Sequence, residues 1–252
     1  MTGKLVNTLL ATFALGYTSL AQATIVEVTT NLGKFEINLY DQSTPVTVQN
    51  FLSYVNSGKY DGTVMHRSEP GFVIQGGGFV FDQALPLKAV ATNAPILNEP
   101  KWSNVRGTVA MAKLGGNPNS ATNQWFINLS NNASNLDFQN SGFTVFGQIS
   151  SSDMSVADAI AALPRFSFNG LTNLPLRNYS NSDRDDNKPL VADNLVTIES
   201  IVVVDARPNT VAGLTQTPTT NTGAAGGSDS SGGSGGWLWL LPLSVLLLRR
   251  RK

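Results

Sequence analysis

Cysteine is missing from this chain of 252 residues, and histidine occurs once, as His66. Without cysteine there can be no disulfide, no thiolate nucleophile and no cysteine-based metal site. A single histidine also excludes the two-histidine zinc motifs. The sequence therefore predicts no metal site, and no cofactor is expected.

An excess of positive charge is also lacking, because 17 basic and 17 acidic residues balance. Five of the basic residues lie near the two ends, so residues 24–236 carry 12 basic and 17 acidic side chains, a net charge of −5. A nucleic-acid-binding protein normally presents a basic patch, whereas an acidic body has no attraction for phosphate. No nucleic-acid partner is predicted.

Long hydrophobic runs are confined to the two ends of the chain. At the start, Lys4 is followed by a mostly apolar stretch from Leu5 to Leu20 and by the small-x-small triplet Ala21-Gln22-Ala23. This order is typical of a signal peptide over residues 1–23, cleaved after Ala23. The alternative is an N-terminal helix of the fold.

The other end begins with residues 207–236, which are rich in Thr, Pro, Gly and Ser and are predicted to form a flexible linker. Residues 237–252 then combine the apolar run Trp237–Leu248 with the basic cluster Arg249–Lys252. Twelve helical residues span about 18 Å, well short of the roughly 30 Å hydrocarbon core of a bilayer. A permanent membrane-spanning helix is therefore a poor fit.

This tail resembles the Gly-Gly C-terminal sorting signals of some Gram-negative bacteria. The resemblance implies transient contact with the inner membrane and cleavage near the glycines by a rhomboid-type protease. A simple C-terminal anchor is the alternative. The expected location is the periplasm, the cell surface or the medium of a Gram-negative bacterium.

The body, residues 24–206, consists mainly of short runs rich in β-branched and aromatic residues, separated by loops rich in Gly, Asn, Pro and Ser. The predicted strands are 24–30, 33–40, 63–67, 72–75, 107–112, 124–129, 144–149 and 195–205. Only two helices are predicted among them. This composition favours a mainly β fold, a closed eight-stranded antiparallel β-barrel capped by two helices.

The first predicted helix follows Thr44 as N-cap and Pro45 as first helical residue, and Gly58 is expected just beyond its end. Its buried face comprises Val48, Phe51, Leu52 and Val55, at helical spacing. The second helix is predicted over Ser155–Leu163, with Val156, Ile160 and Leu163 buried.

Three stretches carry candidate chemistry. The first, residues 64–78, reads as a strand with Arg67, a Pro-Gly turn, a strand with Phe72 and Gln75, and a glycine run. The second runs from Gly107 to Asn128, and the third, residues 135–147, contains Leu-Asp and Val-Phe-Gly. Each could instead be ordinary barrel structure, with Arg67 stacked on a phenylalanine at the surface.

Taken in order, the three stretches resemble the cyclophilins, and the resemblance covers residues 24–206. The family pattern of His-Arg, Pro-Gly-Phe and Gln-Gly-Gly is matched between His66 and Gly77. Its Ser/Asn-Gln-aromatic-Phe-Ile segment is matched by residues 123–127. The resemblance implies a peptidyl-prolyl cis–trans isomerase that acts on proline-containing polypeptides, with monomer as the expected state.

Residue by residue, the resemblance implies that Arg67 is catalytic. It implies a proline-ring pocket formed by Phe72, Val73, Phe126 and Leu136, with Phe143 at its border. Gln75 and Gln124 would border the substrate backbone, and Ala112 with Lys113 would form a strand edge that pairs with it. Val73 stands where a methionine is frequent, Asn135 where many eukaryotic members have tryptophan and Phe143 where they have histidine, so the pattern resembles bacterial members.

Other interpretations stay open at the level of sequence. A non-catalytic module could bind proline-containing segments, and a serine hydrolase could use His66, although no Gly-x-Ser-x-Gly elbow is present. Residues 183–187 have some likeness to a calcium loop but lack the EF-hand spacing, and they are predicted to be a solvated insertion. The longer segment 165–193 has no predicted role.

Overall fold

A computed structural model describes residues 24–168, 170–206 and 214–221. The predicted signal peptide, most of the linker and the whole hydrophobic tail lie outside these residues. No helix in the described part of the chain has the length and apolar character needed to cross a membrane.

Strands dominate the described residues. They are β1 (Ile25–Thr30), β2 (Gly33–Leu39), β3 (Thr63–Val64), β4 (Arg67–Glu69), β5 (Val73–Gly76), β6 (Phe79–Val80), β7 (Lys88–Ala89), β8 (Thr108–Met111), β9 (Trp125–Asn128), β10 (Val145–Ile149), β11 (Arg165–Phe168), β12 (Leu171–Pro175) and β13 (Thr197–Asp205). The helices are α1 (Pro45–Asn56), α2 (Ala133–Leu136), α3 (Met154–Ala161) and α4 (Asn181–Asp185), with 3-10 turns at Gln139–Ser141 and Ala192–Asn194. The predicted mainly β fold is confirmed.

Eleven strands form one antiparallel sheet, in the order β4-β5-β9-β8-β10-β2-β1-β13-β3-β6-β7, and β11 pairs with β12 in a separate hairpin. Strand β4 is first and β3 ninth in this order, yet only Met65 and His66 separate them in sequence. The sheet therefore curls so that these two strands come close together. The Met65 amide donates to Val196 on one side, and the His66 amide donates to Gln75 on the other. The pairing does not confirm a closed eight-stranded barrel. The predicted strand count is wrong because the predicted strand 63–67 is divided into β3 and β4 and because the short β6 and β7 extend the edge.

Helix α1 begins at Pro45 as predicted, but its N-terminus is capped differently. Thr44 makes no side-chain cap. Instead, the Glu99 carboxylate accepts from the Thr47 amide at 2.9 Å and from the Thr47 hydroxyl at 2.8 Å. Gly58 follows the helix with φ +64°, as expected for a residue that ends a helix in the left-handed region.

Helix α3 begins one residue before the prediction and ends two residues earlier. Met154, Ala157 and Ile160 are its buried residues, while Val156 and Leu163 are only partly buried against the main core. The prediction of two helices is also corrected by α2 and α4. Both are single turns of four or five residues, too short to produce a helical repeat of apolar residues.

The segment 165–193 folds against the sheet. Buried side chains from β12 and from the loop after it, including Leu174 and Leu176, join Val64 and Phe79 in a second apolar cluster. Within the segment, Asp183 lies in α4, where its carboxylate accepts from Ser180 and pairs with Lys188. The polar surface of this insertion therefore covers an apolar interior, which explains how it remains folded.

Residues 214–221, here named the strap, lie along residues 101–103. The Ser103 amide donates to Thr217 at 2.8 Å, and the Thr219 amide donates to Lys101 at 3.1 Å. Asn221 Nδ2 donates to the Asp137 carbonyl at 2.6 Å. These residues fall within the predicted flexible linker, yet the structure gives them strand-like pairing with the body.

Candidate active site

Pairing across five strands places Arg67, Gln75, Phe126, Ala110 and Val145 opposite one another in a single row. Residues directly opposite on adjacent strands project to the same face of a sheet. Because neighbouring strands lie about 4.8 Å apart, the backbones at Arg67 and Phe126 are roughly 10 Å apart. The row therefore brings a cation and an aromatic ring to one surface.

The Arg67 guanidinium is largely enclosed, with 12% of its side chain exposed. Its Nη2 donates to Glu69 Oε1 at 3.2 Å. Its Nη1 is buried and makes no hydrogen bond within the protein. A buried donor without a partner is costly in a folded protein, so Nη1 is the atom of this site best suited to receive an acceptor from a bound molecule.

Beside Arg67 lies an apolar cluster that contains four of the predicted pocket residues. Val73, Phe126, Leu136 and Phe143 are buried in it, and Phe72 packs against it while partly exposed. The rings of Phe126 and Phe143 meet edge to face, with centroids 5.8 Å apart. The structure thus brings together residues that are up to 71 positions apart in sequence, from Phe72 to Phe143.

Leu136 is held in this cluster by the residue that follows it. The buried Asp137 carboxylate accepts from the Ser103 hydroxyl at 2.6 Å, the Asn104 amide at 2.8 Å and Asn104 Nδ2 at 3.0 Å. In addition, the Phe143 amide donates to the Leu136 carbonyl at 2.9 Å. The Leu-Asp pair seen in the sequence therefore combines a pocket residue with its anchor.

The two predicted glutamines contact each other, since Gln75 Nε2 donates to Gln124 Oε1 at 2.8 Å. Gln75 Oε1 is buried and makes no hydrogen bond within the protein. The glycines after Gln75 allow this approach, because a Cβ on Gly78 would lie 2.6 Å from the Gln124 side chain. Real Cβ atoms essentially never come so close to another heavy atom, so any larger residue at position 78 would displace the Gln124 side chain.

Lys113 is placed differently from the expectation. Its side chain turns inward, and Nζ donates to the carbonyls of Asn140 and Gly142 at 2.9 and 2.6 Å. The neighbouring Ala112 amide donates to the Gln124 carbonyl at 2.9 Å, so that donor is already paired. The predicted pairing of this edge with a substrate stays a prediction, whereas the Lys113 side chain serves the loop that carries Phe143.

His66 lies beneath the site, with its ring edge-on to Phe79 at 4.8 Å. Burial lowers the pKa of His66 to about 4, so the imidazole is neutral at pH 7. Its Nδ1 is buried without a hydrogen bond. This setting is that of a packed structural residue, and it gives no support to the serine hydrolase.

Glu69 was part of the motif but had no predicted role. It stands two residues after Arg67 on β4 and so projects to the same face, a spacing from which the contact could have been inferred. Asn173, which donates to Glu69 Oε1 at 2.8 Å, lies 104 residues further along, and no local signal in the sequence pointed to it.

Comparison with known proteins places the chain in a family. Residues 25–179 match the model of the cyclophilin type peptidyl-prolyl cis-trans isomerase/CLD family. A peptidyl-prolyl cis-trans isomerase of Acinetobacter baylyi is 44% identical over 155 residues, which is 60% of this chain and 79% of the relative. The peptidyl-prolyl cis-trans isomerase A of Dickeya dadantii is 43% identical over 159 residues, 61% of this chain and 79% of the relative.

A solved structure agrees in fold. The crystal structure of a cyclophilin type peptidyl-prolyl cis-trans isomerase from Cryptosporidium parvum has a TM-score of 0.52 and 21% identity, covering 73% of this chain and 98% of the other. The chain belongs to the cyclophilin-type peptidyl-prolyl cis–trans isomerase family. As an enzyme, it is a peptidyl-prolyl cis–trans isomerase.

Proposed function

We propose that the protein accelerates rotation about X–Pro bonds in exported polypeptides, thereby aiding their folding, with Arg67 as its catalytic residue. Rotation about a peptide bond has a barrier of about 18–20 kcal/mol, because the nitrogen lone pair is delocalised into the carbonyl. X–Pro bonds populate both isomers but exchange over tens to hundreds of seconds. The enzyme need break no bond, and it must only bind the twisted amide better than either planar form.

The observation that carries the role of Arg67 is its buried, unpartnered Nη1 beside the apolar cluster. In the twisted amide the nitrogen regains its lone pair and can accept a hydrogen bond. A planar amide offers little at that nitrogen, so a donor fixed here favours the twisted form. Each 1.4 kcal/mol of this difference gives about a tenfold gain in rate.

The cluster of Phe72, Val73, Phe126, Leu136 and Phe143 would hold the proline ring while the carbonyl side of the bond turns. Gln75 lies on β5 and Gln124 directly before β9, and the two side chains border this space. Gln75 Oε1 has no partner within the described protein. This acceptor could receive a backbone N–H of the substrate. The arrangement needs neither a general base nor a nucleophile, which agrees with the buried, neutral His66.

Isomerisation of a proline peptide by the full chain tests the assignment. Arg67→Ala should lose most of the activity, and Arg67→Lys should recover little because an ammonium lacks the planar fork of donors. Arg184→Ala is the matched control, since Arg184 is half exposed and pairs with Asp185 in α4. Circular dichroism should show that all three variants are folded.

Two results would revise the proposal. Wild-type rates in Arg67→Ala would remove this residue from the catalytic role. Tight peptide binding without a rate gain by the wild-type chain would contradict the isomerase assignment and favour a proline-binding module.

We further propose that residues 1–23 direct export and that the tail contacts the inner membrane transiently. The start of the folded body supports the first part. Thr24, the residue after the predicted cleavage site, is buried, and its amide donates to Asp41 Oδ2 at 2.8 Å. Strand β1 begins at the next residue.

Mass spectrometry of the protein from fractionated cells tests the export proposal. The expected N-terminus is Thr24, and the expected location is outside the cytoplasm. A cytoplasmic protein that retains residues 1–23 would contradict it. Deletion of residues 237–252 should change how the protein is divided between membrane and soluble fractions, and an unchanged distribution would contradict the proposed membrane contact.

A further inference from the structure

The insertion 165–193 contacts the site through the side chain of Asn173. Strand β12 lies against β4, the strand that carries Arg67. Asn173, in the middle of β12, donates from Nδ2 to Glu69 Oε1 at 2.8 Å. The same oxygen accepts from Arg67 Nη2 at 3.2 Å. One carboxylate oxygen thus joins the insertion to the guanidinium.

Asn173 lies between buried residues of its own strand. Its neighbours on β12, Leu171 and Leu174, are buried in the second apolar cluster with Phe166. Its backbone has φ +55°, a left-handed conformation that asparagine adopts more readily than most residues. The strand therefore has fixed apolar anchors on both sides of a residue suited to its unusual backbone.

The Arg67–Glu69 ion pair that Asn173 joins is largely shielded from solvent. The side chains of Arg67 and Glu69 are 12% and 24% exposed. A hydrogen bond to an ionised carboxylate in such a place is stronger than one between neutral groups. Without the Asn173 side chain, Glu69 Oε1 would lose one of its two donors and keep Arg67 Nη2. The carboxylate could then rotate towards solvent.

We propose that Asn173 is a positioning residue for Arg67 and that it acts through Glu69. This role rests on the proposed catalytic role of Arg67. Asn173 lies on β12, outside the stretch 64–78 that carries Arg67 and Glu69. Asn173 holds the carboxylate, the carboxylate holds Nη2, and the guanidinium is thereby kept in the orientation that leaves Nη1 free for the substrate. A donor aligned in advance avoids reorganisation during the reaction.

The central variant is Asn173→Ala in the full chain, compared with Asn178→Ala. Asn178 is a matched control because it lies in the same insertion, has φ +47° and also donates to a carboxylate at 2.8 Å, that of Asp193. We expect kcat for a proline peptide to fall about three- to tenfold in Asn173→Ala with little change in KM, since misalignment affects the transition state most. Asn178→Ala should keep wild-type kcat.

The route through Glu69 is tested by a double-mutant cycle. Glu69→Ala should lose activity, and adding Asn173→Ala to it should cause no further loss, because residues that act through one link are not additive. Glu69→Gln keeps an acceptor oxygen for both partners and should recover part of kcat. Thermal unfolding of each variant reports any general loss of stability.

Equal kcat in Asn173→Ala and Asn178→Ala would overturn the inference, as would losses that multiply in the double variant. Arg67→Ala separates this failure from that of the proposed function. If Arg67→Ala is inactive while Asn173→Ala is fully active, only the positioning role is lost. If Arg67→Ala is fully active, the catalytic role of Arg67 is lost first.

Discussion

Lys113 Nζ lies 4.8 Å from the centre of the Phe143 ring and donates to the carbonyl of Gly142, the residue before that phenylalanine. The cation thus contacts both the ring face and the backbone of the loop that brings Phe143 to the pocket. Carbonyl oxygens and a ring face both attract a positive charge, but burial opposes it and lowers the pKa of Lys113 to about 7.

Stability should therefore depend on pH through Lys113. In the unfolded chain this lysine keeps its proton up to about pH 10.5, whereas in the folded protein it loses the proton near pH 7. Between these values the unfolded state binds more protons, so the free energy of unfolding rises with pH. Lys113→Met should remove this component, which urea unfolding at several pH values between 7 and 10 would measure.

Lys34→Met is the control for the Lys113 experiment, because the side chain of Lys34 is 60% exposed. Its pH profile should follow that of the wild type. Parallel profiles for Lys113→Met and wild type would show that Lys113 titrates in the folded protein as it does in the unfolded chain.

His66 predicts a second pH effect, at the acidic end. Its pKa is about 4 in the folded protein, against 6.5 ordinarily. The stabilisation is complete above pH 6.5 and is lost as pH falls towards 4, because the unfolded chain takes up the proton first. His66→Gln should flatten the unfolding free energy over this range relative to wild type.

The isomerase activity of the His66→Gln variant tests whether His66 takes part in the reaction. At pH 7 the His66→Gln variant should keep isomerase activity within a few-fold of wild type, since the proposed mechanism transfers no proton through the imidazole. Loss of activity by a factor of about a hundred or more in a folded variant would instead give His66 a chemical role.

The strap should contribute to stability. A chain ending at residue 206 lacks it and leaves the Ser103 amide without the Thr217 carbonyl. It also lacks the backbone bridge between Trp102 and Pro218. We expect the free energy of unfolding to be about 1–3 kcal/mol lower for a chain of residues 24–206 than for one of residues 24–221, because hydrogen bonds are lost. Urea unfolding measures the difference, and identical midpoints and slopes would contradict it.

Much of the site could be predicted from sequence because it is built from regular strands. Alternation along β4 and β5 puts Arg67 and Gln75 on the same face as Val73, and the spacing of the motifs brings Phe126 opposite them. These relations follow from the period of a β-strand and from the family resemblance. The side chains that line the pocket are therefore largely those that were expected.

Contacts between distant polar residues could not be predicted in the same way. Glu99 caps α1 across 52 residues, and Asn173 reaches Glu69 across 104. A polar side chain has many possible partners, and only the folded chain selects one. The strap escaped prediction for a related reason, since its composition is that of a linker and its pairing depends on an edge supplied by residues 101–103.

The strap also ties two separate segments of the body together. Asn221 is tied to the carbonyl of Asp137, the neighbour of the pocket residue Leu136. Further contacts of the strap are with residues 101–103, and the Asp137 carboxylate accepts from Ser103 in the same region. Detaching the strap would therefore loosen the turn that carries Leu136, so the apolar cluster is linked to a segment 84 residues further along the chain than Asp137.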